Sequence, residues 1–214
     1  MVFRRRNPLS WAESIWQAVY PKGGWVRALR YVVHRVRRLP DPAHKIARGV
    51  AAGVFISFTP LFGLHFVLAA ALAWIMGGNV IAAILATFVG NPVTFPLIAA
   101  ISMETGAFLL GKGHVPLPEA VSSFSHAAME IWRNLGAIFT AERISWRNMG
   151  FFFDEVFLPY LIGSIVPGTI TALIFYWVTT PVITAYQRAR VARLKKRFAK
   201  KREKVISRRM EMPK

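Results

Sequence analysis

The sequence predicts an all-α fold: an integral membrane helical protein with Pro/Gly-broken or re-entrant helices and flanking amphipathic helices. Three observations predict it. Of the 214 residues, 54% are hydrophobic, yet the formal net charge is +18. The mean hydropathy is +0.38. The two properties are segregated along the chain, with no Asp, Glu, Lys or Arg from Gly49 to Met103 (55 residues) or from Val156 to Gln187 (32 residues). A bilayer core of roughly 30 Å needs about 20 apolar residues of helix. The second run holds one crossing. The first is too long for one helix, and Val67–Met76 within it has no polar face of the kind a soluble core helix carries. Abundant apolar residues exclude a disordered chain, and the absence of Cys excludes a disulfide scaffold.

The elements follow in chain order. Residues 1–45 form a basic amphipathic segment at the cytoplasmic interface. In it Leu9, Ala12, Ile15, Trp16 and Val19 recur at helical spacing, followed by a break at Pro21–Gly24. Trp25, Leu29, Val32, Val33 and Val36 then make one face, with Arg27, Arg30, His34, Arg37 and Arg38 opposite. Such a helix lies in the plane of an anionic interface, or docks on a protein. The start, MVFRRRNPLSWAESIWQ, lacks a long apolar stretch, so no cleaved leader is expected.

Residues 46–111 are the membrane core. Pro60, Gly63, Gly77-Gly78, Gly90, Pro92 and Pro96 punctuate it. Proline removes an amide donor and clashes with the preceding turn. Within lipid, the freed backbone groups must find partners in protein or in a wet cavity. The run therefore reads as broken helices, crossing either once with a re-entrant hairpin or three times. Residues 112–155 form an external loop, in which Val121, Phe124, Ala128, Ile131, Leu135 and Ile138 predict an amphipathic helix over 118–140. Residues 156–187 make the last transmembrane helix, punctuated by Pro159, Pro167-Gly168 and Pro181, and 188–214 a polybasic tail.

Charge sets the orientation. Of the 28 basic residues, 11 lie between Arg4 and Arg48, 13 between Arg188 and Lys214, and four between those groups. Cationic flanks stay on the cytoplasmic side. The expected location is the bacterial inner membrane, multi-pass, with both termini cytoplasmic. The expected partners are membrane lipids, with anionic head groups at the basic ends, and a membrane-protein partner or a second copy. No base-reading or stacking module accompanies the tail, which argues against nucleic acid.

Polar groups inside the apolar run are the candidate sites: His65, Asn79, Thr87, Asn91, Thr94 and Glu104, beside the breaks at Pro60, Gly63 and Pro92. Ionisable groups at membrane depth are functional candidates by default. For His65 a hydrogen-bonded packing role outweighs a proton relay, and for Asn91 the satisfaction of loose backbone groups outweighs substrate contact. Neither His34 and His44 nor His114 and His126 have the spacing of a ligand pair, and Ser57 and Ser102 lack an acid–base partner nearby in sequence. No phosphate loop, nucleophile elbow or dinucleotide fingerprint occurs. No metal, cofactor or enzymatic activity is expected.

The run from Pro42 to Phe55, leading into Thr59-Pro60-Leu61-Phe62-Gly63-Leu64-His65, then Gly78-Asn79 and Gly90-Asn91-Pro92-Val93-Thr94, resembles the bacterial membrane family catalogued as domain of unknown function 2062. The resemblance covers most of 20–187, and its most specific motifs lie between Ile46 and Gly111. It implies an inner-membrane protein with no assigned activity. Relatives fused to glycosyltransferase-like domains hint at envelope lipid or sugar metabolism. The expected role is a non-enzymatic accessory or scaffold factor in envelope biogenesis. The alternative is a small transporter or lipid translocase that uses its Pro-broken hairpins.

Overall fold

The computed structural model describes residues 24–113, 115–137 and 146–210, and every regular element among them is helical. The segment carrying Leu9 to Val19 lies outside the described residues. In order come α1 (Trp25–Arg37), α2 (Ala43–Ser57), α3 (His65–Ile75), α4 (Val80–Ala86) with a 3-10 turn (Thr87–Val89), and α5 (Phe95–Leu110). Then follow α6 (Leu117–Ala137), α7 (Arg147–Phe151), a π turn (Phe152–Phe157) and α8 (Leu158–Met210).

The first apolar run breaks where its prolines and glycines stand. Thr59-Pro60 follows α2, Gly77-Gly78 follows α3, and Gly90-Asn91-Pro92 follows the 3-10 turn. Gly77 closes α3 in the left-handed region, at φ 60°. There its amide donates to Trp74 O at 3.0 Å and that of Gly78 to Ala73 O at 2.7 Å, which recovers carbonyls that a helix end leaves unpaired.

Helix α2 is central and touches α3, α4 and α8. Ile46, Ala47 and Val54 are fully buried, and buried residues occur all round it. Its approach to α4 depends on glycine. A Cβ on Gly49 would lie 2.2 Å from Asn79 O, and one on Gly53 would lie 2.1 Å from Ala83 O. Ser57 continues this line and donates to Thr87 O at 3.2 Å. The partners advance in step, so α2 and α4 run parallel, with α3 returning between them.

Against α8 both α2 and α5 run antiparallel, one beyond the other. Gln187 donates to Asp41 O at 2.9 Å, Ile183 shares a core cluster with Ile46, and Gly168 lies against Phe55 and Phe58. Farther along, Gly163 meets the backbone of Ser102 and Gly106, and Gly106 meets Pro159 O. Helices α2 and α5 thus form one composite rod beside α8, interrupted at the level of Pro167-Gly168. The pair α3–α4 is a hairpin of half that depth, inserted at the interruption.

Helix α8 corrects one expectation. Pro167 and Pro181 lie inside it without ending it. Hydroxyls turn back onto its own carbonyls near both: Ser164 to Leu161 O at 2.7 Å, Thr180 to Tyr176 O at 2.9 Å and Thr184 to Thr180 O at 2.8 Å. Pro159 follows the π turn, whose wider ring accommodates the clash a proline makes with the carbonyl four residues earlier. No boundary separates the apolar run from the cationic tail. The 53 residues of α8 span about 80 Å.

Helix α6 corrects another. It covers Leu117–Ala137 where 118–140 was expected, and residues 138–145 lie outside the described set. Its buried stripe is Ala120, Ser123, Ala127, Glu130, Asn134 and Ala137. Of the predicted apolar face, Phe124 packs inward on the cluster that holds Met103 and Tyr160, whereas Val121, Ile131 and Leu135 are exposed. Small residues inside let backbones approach, while these large apolar ones are left outside. In α1, Val32 and Val36 of the predicted face pack on the core cluster that includes Val50 and Ile183, while Leu29 and Val33 of that face are exposed.

Candidate functional site at the helix breaks

The break after α2 and the break after α4 meet. Between them lies an open cavity of about 550 Å³, lined by Ser57, Phe62, His65, Thr87, Gly90, Asn91, Pro92 and Phe95, with Val121 and Phe124 from α6. Phe62 is its apolar centre, edge-on to His65, Phe95 and Phe124 with ring centroids 5.3–5.6 Å apart. Gly63, at φ 84°, turns the chain where a side chain would be strained.

Asn91 joins two helix ends with one side chain. Its amide nitrogen donates to Phe88 O at 3.2 Å and Val89 O at 3.4 Å, which α4 and its 3-10 turn leave unpaired. Its Oδ1 accepts from the amides of Val93 at 2.9 Å and Thr94 at 3.3 Å, at the start of α5. The Thr94 hydroxyl donates to Val89 O and accepts from the Asn91 amide at 3.1 Å. Pro92 has no amide to satisfy.

At the other break, His65 Nε2 donates to Thr59 O at 3.0 Å, and the Thr59 hydroxyl donates to Ile56 O at 2.8 Å. A carbonyl can only accept, so Nε2 of His65 carries a proton. Ser57 shares its hydroxyl proton between Gly53 O at 2.9 Å and Thr87 O, and the Thr87 hydroxyl is held by Ile84 O at 2.7 Å.

Four of the predicted residues (His65, Thr87, Asn91 and Pro92) therefore line one cavity, and Pro60, Gly63 and Thr94 stand in the loops that frame it. Asn79 and Glu104 are elsewhere. Asn79 lies at the cationic end, where its Oδ1 accepts from Ala82 N at 2.7 Å to cap α4 and its amide donates to Asp41. Lys45 completes that cluster, 3.1 Å from Asp41. These two partners, Asn79 first, hold the Asp41 carboxyl below its ordinary value. Glu104 is exposed on α5, between Ser102 and Gly106, level with Leu161 of α8. From there to the level of Arg48 and Tyr176 is 15 residues of α8, about 22 Å.

Three residues of consequence escaped the sequence reading. Glu130, 3% exposed, accepts the amides of Asn148 at 3.3 Å and Met149 at 2.6 Å and so caps α7. Arg48 donates to Met76 O at 2.9 Å, at the end of α3. Gly106 lets α5 touch α8; the spacing Gly49-x-x-x-Gly53 and Ser102-x-x-x-Gly106 was the available signal. Ser102 is fully buried and its hydroxyl has no partner among the described residues, as is also true of the Tyr160 hydroxyl. Among the described residues no three His, Asp or Glu side chains cluster as metal ligands do.

A model of the family described as "Uncharacterized protein conserved in bacteria (DUF2062)" matches residues 26–192, from α1 through both breaks and past Gln187 on α8. No curated protein and no solved structure matches the chain.

Proposed function

The chain belongs to the bacterial family DUF2062, and on that premise we propose that it is an integral inner-membrane protein, a non-enzymatic accessory or scaffold factor of the cell envelope with both termini in the cytoplasm. One observation carries the membrane reading: large apolar side chains face outward over the whole zone between the levels of Glu104 and Arg48. Trp74 on α3 and Trp177 on α8, toward its Arg48 end, are 77% and 73% exposed, with Phe66, Leu97, Ile101, Ile170 and Ile174 also exposed along it, and Phe108 on α5, 85% exposed, stands just beyond the Glu104 level. An apolar surface this extensive marks a partner or a membrane.

Among the described residues one continuous helix, Arg147–Lys200, is long and apolar enough to cross a membrane, and only 22% of its most apolar window is buried. Helices α3, α4 with its 3-10 turn, and α5 are apolar but shorter. In this reading the second crossing is the composite of α2 and α5. The hairpin α3–α4 opens to the cytoplasm, and the contact of Gln187 with Asp41, which sets the two cationic flanks side by side, supports a shared face for them. The basic tail and α1 lie against anionic lipid.

The scaffold reading is favoured over a transporter or lipid translocase by the state of the cavity. Its serine, threonine and asparagine side chains, and one nitrogen of His65, are engaged by the backbone of the breaks themselves. Reporter fusions test the topology. Fusions at Gly77 and after Gln187 are expected to read cytoplasmic, and one at Gly113 external, in a chain that resists alkaline extraction from membranes. An external Gly77, or release of the chain by alkali, removes the proposal.

A further inference from the structure

We propose that the groove between α2, α3 and α8 holds one anionic phospholipid, its phosphate on Arg48 and an acyl chain along the wall that leads toward the breaks. This rests on the membrane reading above and adds a defined site to it, separate from the basic tail.

The groove has a volume of about 460 Å³. Ala51, Ala52, Phe55, Leu72 and Leu173 make its apolar walls, with Arg48 and Tyr176 at one end. Alanine on α2 leaves room where a larger residue would fill it. By the register of α2 on α8, Arg48 lies at the cationic end of the apolar zone, where lipid phosphates stand in the proposed orientation.

Arg48 is only partly used by the protein. Its Nη1 donates to Met76 O, and the guanidinium lies over Gly77, where a Cβ would come within 3.4 Å of Nη1. Its Nε is shielded from water and has no hydrogen-bond partner among the described residues. None of the ion pairs among those residues includes it, and the nearby Asp41 is occupied by Lys45 and Asn79. A guanidinium fixed by one arm and left with donors to spare suits a phosphodiester, whose oxygens accept two parallel N–H bonds. Its positive charge selects against zwitterionic head groups, and the apolar wall beneath it selects a lipid over a free anion.

The test is native mass spectrometry of the full chain released from detergent with equal phosphatidylglycerol and phosphatidylcholine. The wild type is expected to retain one phosphatidylglycerol with a preference of about tenfold, because both lipids offer Arg48 a phosphodiester but only phosphatidylcholine brings a second cation beside it. Arg48→Gln is expected to abolish the preference, whereas Arg190→Gln on the tail leaves it intact. Thr169→Phe, which fills the groove from an exposed position on α8, is expected to lose the lipid with Arg48 still present, and it carries the test alone should Arg48→Gln fail to fold. Unchanged preference in either groove variant overturns the site. Displacement of the lipid by millimolar inorganic phosphate overturns the lipid in favour of a simple anion. A chain that alkali strips from membranes defeats the membrane reading itself, whereas a resistant chain with no Arg48-dependent preference defeats only the groove.

Discussion

The composite rod of α2 and α5 and the rod of α8 lie side by side, and both carry prolines near the same level. In α8 the helix runs through Pro167 and Pro181; in its neighbour the helices stop at Pro60 and Pro92. Proline therefore does not decide the outcome. At Pro92 the polar side chains beside it do, whereas at Pro60 the preceding Thr59 makes the same backward bond to Ile56 O that Ser164 makes to Leu161 O. Along α8, Ser164, Thr180 and Thr184 bond backward to carbonyls of their own helix, which preserves the helical path. At the breaks, Asn91 and Thr94 bond to the ends of two different helices at once. A short amide side chain thus makes a stop stable where proline only makes it permissible.

The comparison is broken most severely at the contact between the two rods. A Cβ at Gly106 would come within 1.8 Å of Pro159 O, but one at Gly150 meets nothing within 4 Å. Gly106→Leu is expected to cost about 3 kcal/mol or more of stability in detergent unfolding. Gly150→Leu is expected to stay within about 0.5 kcal/mol of wild type. Next in size is the break itself. Asn91→Ala removes both halves of the double cap and is expected to cost about 2–3 kcal/mol, while Pro92→Ala costs less than about 1 kcal/mol. If the proline variant were the worse of the two in the same denaturation series, the amide would not be what holds the break.

The smallest effect concerns the cationic end. Bonding to Asn79 and Lys45 lowers the Asp41 carboxyl below its unfolded value, near 3.8. Its contribution is therefore complete above that value and is lost as pH falls through the lower folded value. Thermal midpoints taken from pH 6 down to 3 are expected to decline less steeply in Asp41→Asn than in the wild type. Parallel curves would mean that the Asp41–Asn79 link does not help to seat α4.

Much of the architecture was legible because it depends on residues that act locally. Charge-free runs mark apolar helices, and Pro60, Gly77-Gly78 and Gly90-Asn91-Pro92 end them by backbone chemistry alone. The packing of the α3–α4 hairpin beside α2 was not legible, because it depends on the register of Gly49 and Gly53 on α4. Persistence of α8 through its prolines was not legible, since hydroxyls such as Ser164 and Thr180 serve equally well as caps and as back-bonding groups. On α6 the 3.6-residue period was read correctly, but of its large apolar residues Phe124 turns inward while Ile131 and Leu135 stay exposed, and Ala120, Ala127 and Glu130 make the buried stripe. For the candidate site, His65, Thr87 and Asn91 were singled out by being polar in an apolar run. Their meeting across a cavity, and the departure of Asn79 and Glu104 from it, follow from long-range packing that spacing does not encode.

The widened turn at Phe152–Phe157 also fixes an azimuth. Each residue advances a helix by about 100°, so one extra residue in a single turn rotates everything before it by that angle about the common axis. Deleting one residue there would restore ordinary winding and swing Asn148 and Met149 away from Glu130, uncoupling α6 from the rod while leaving α8 itself intact.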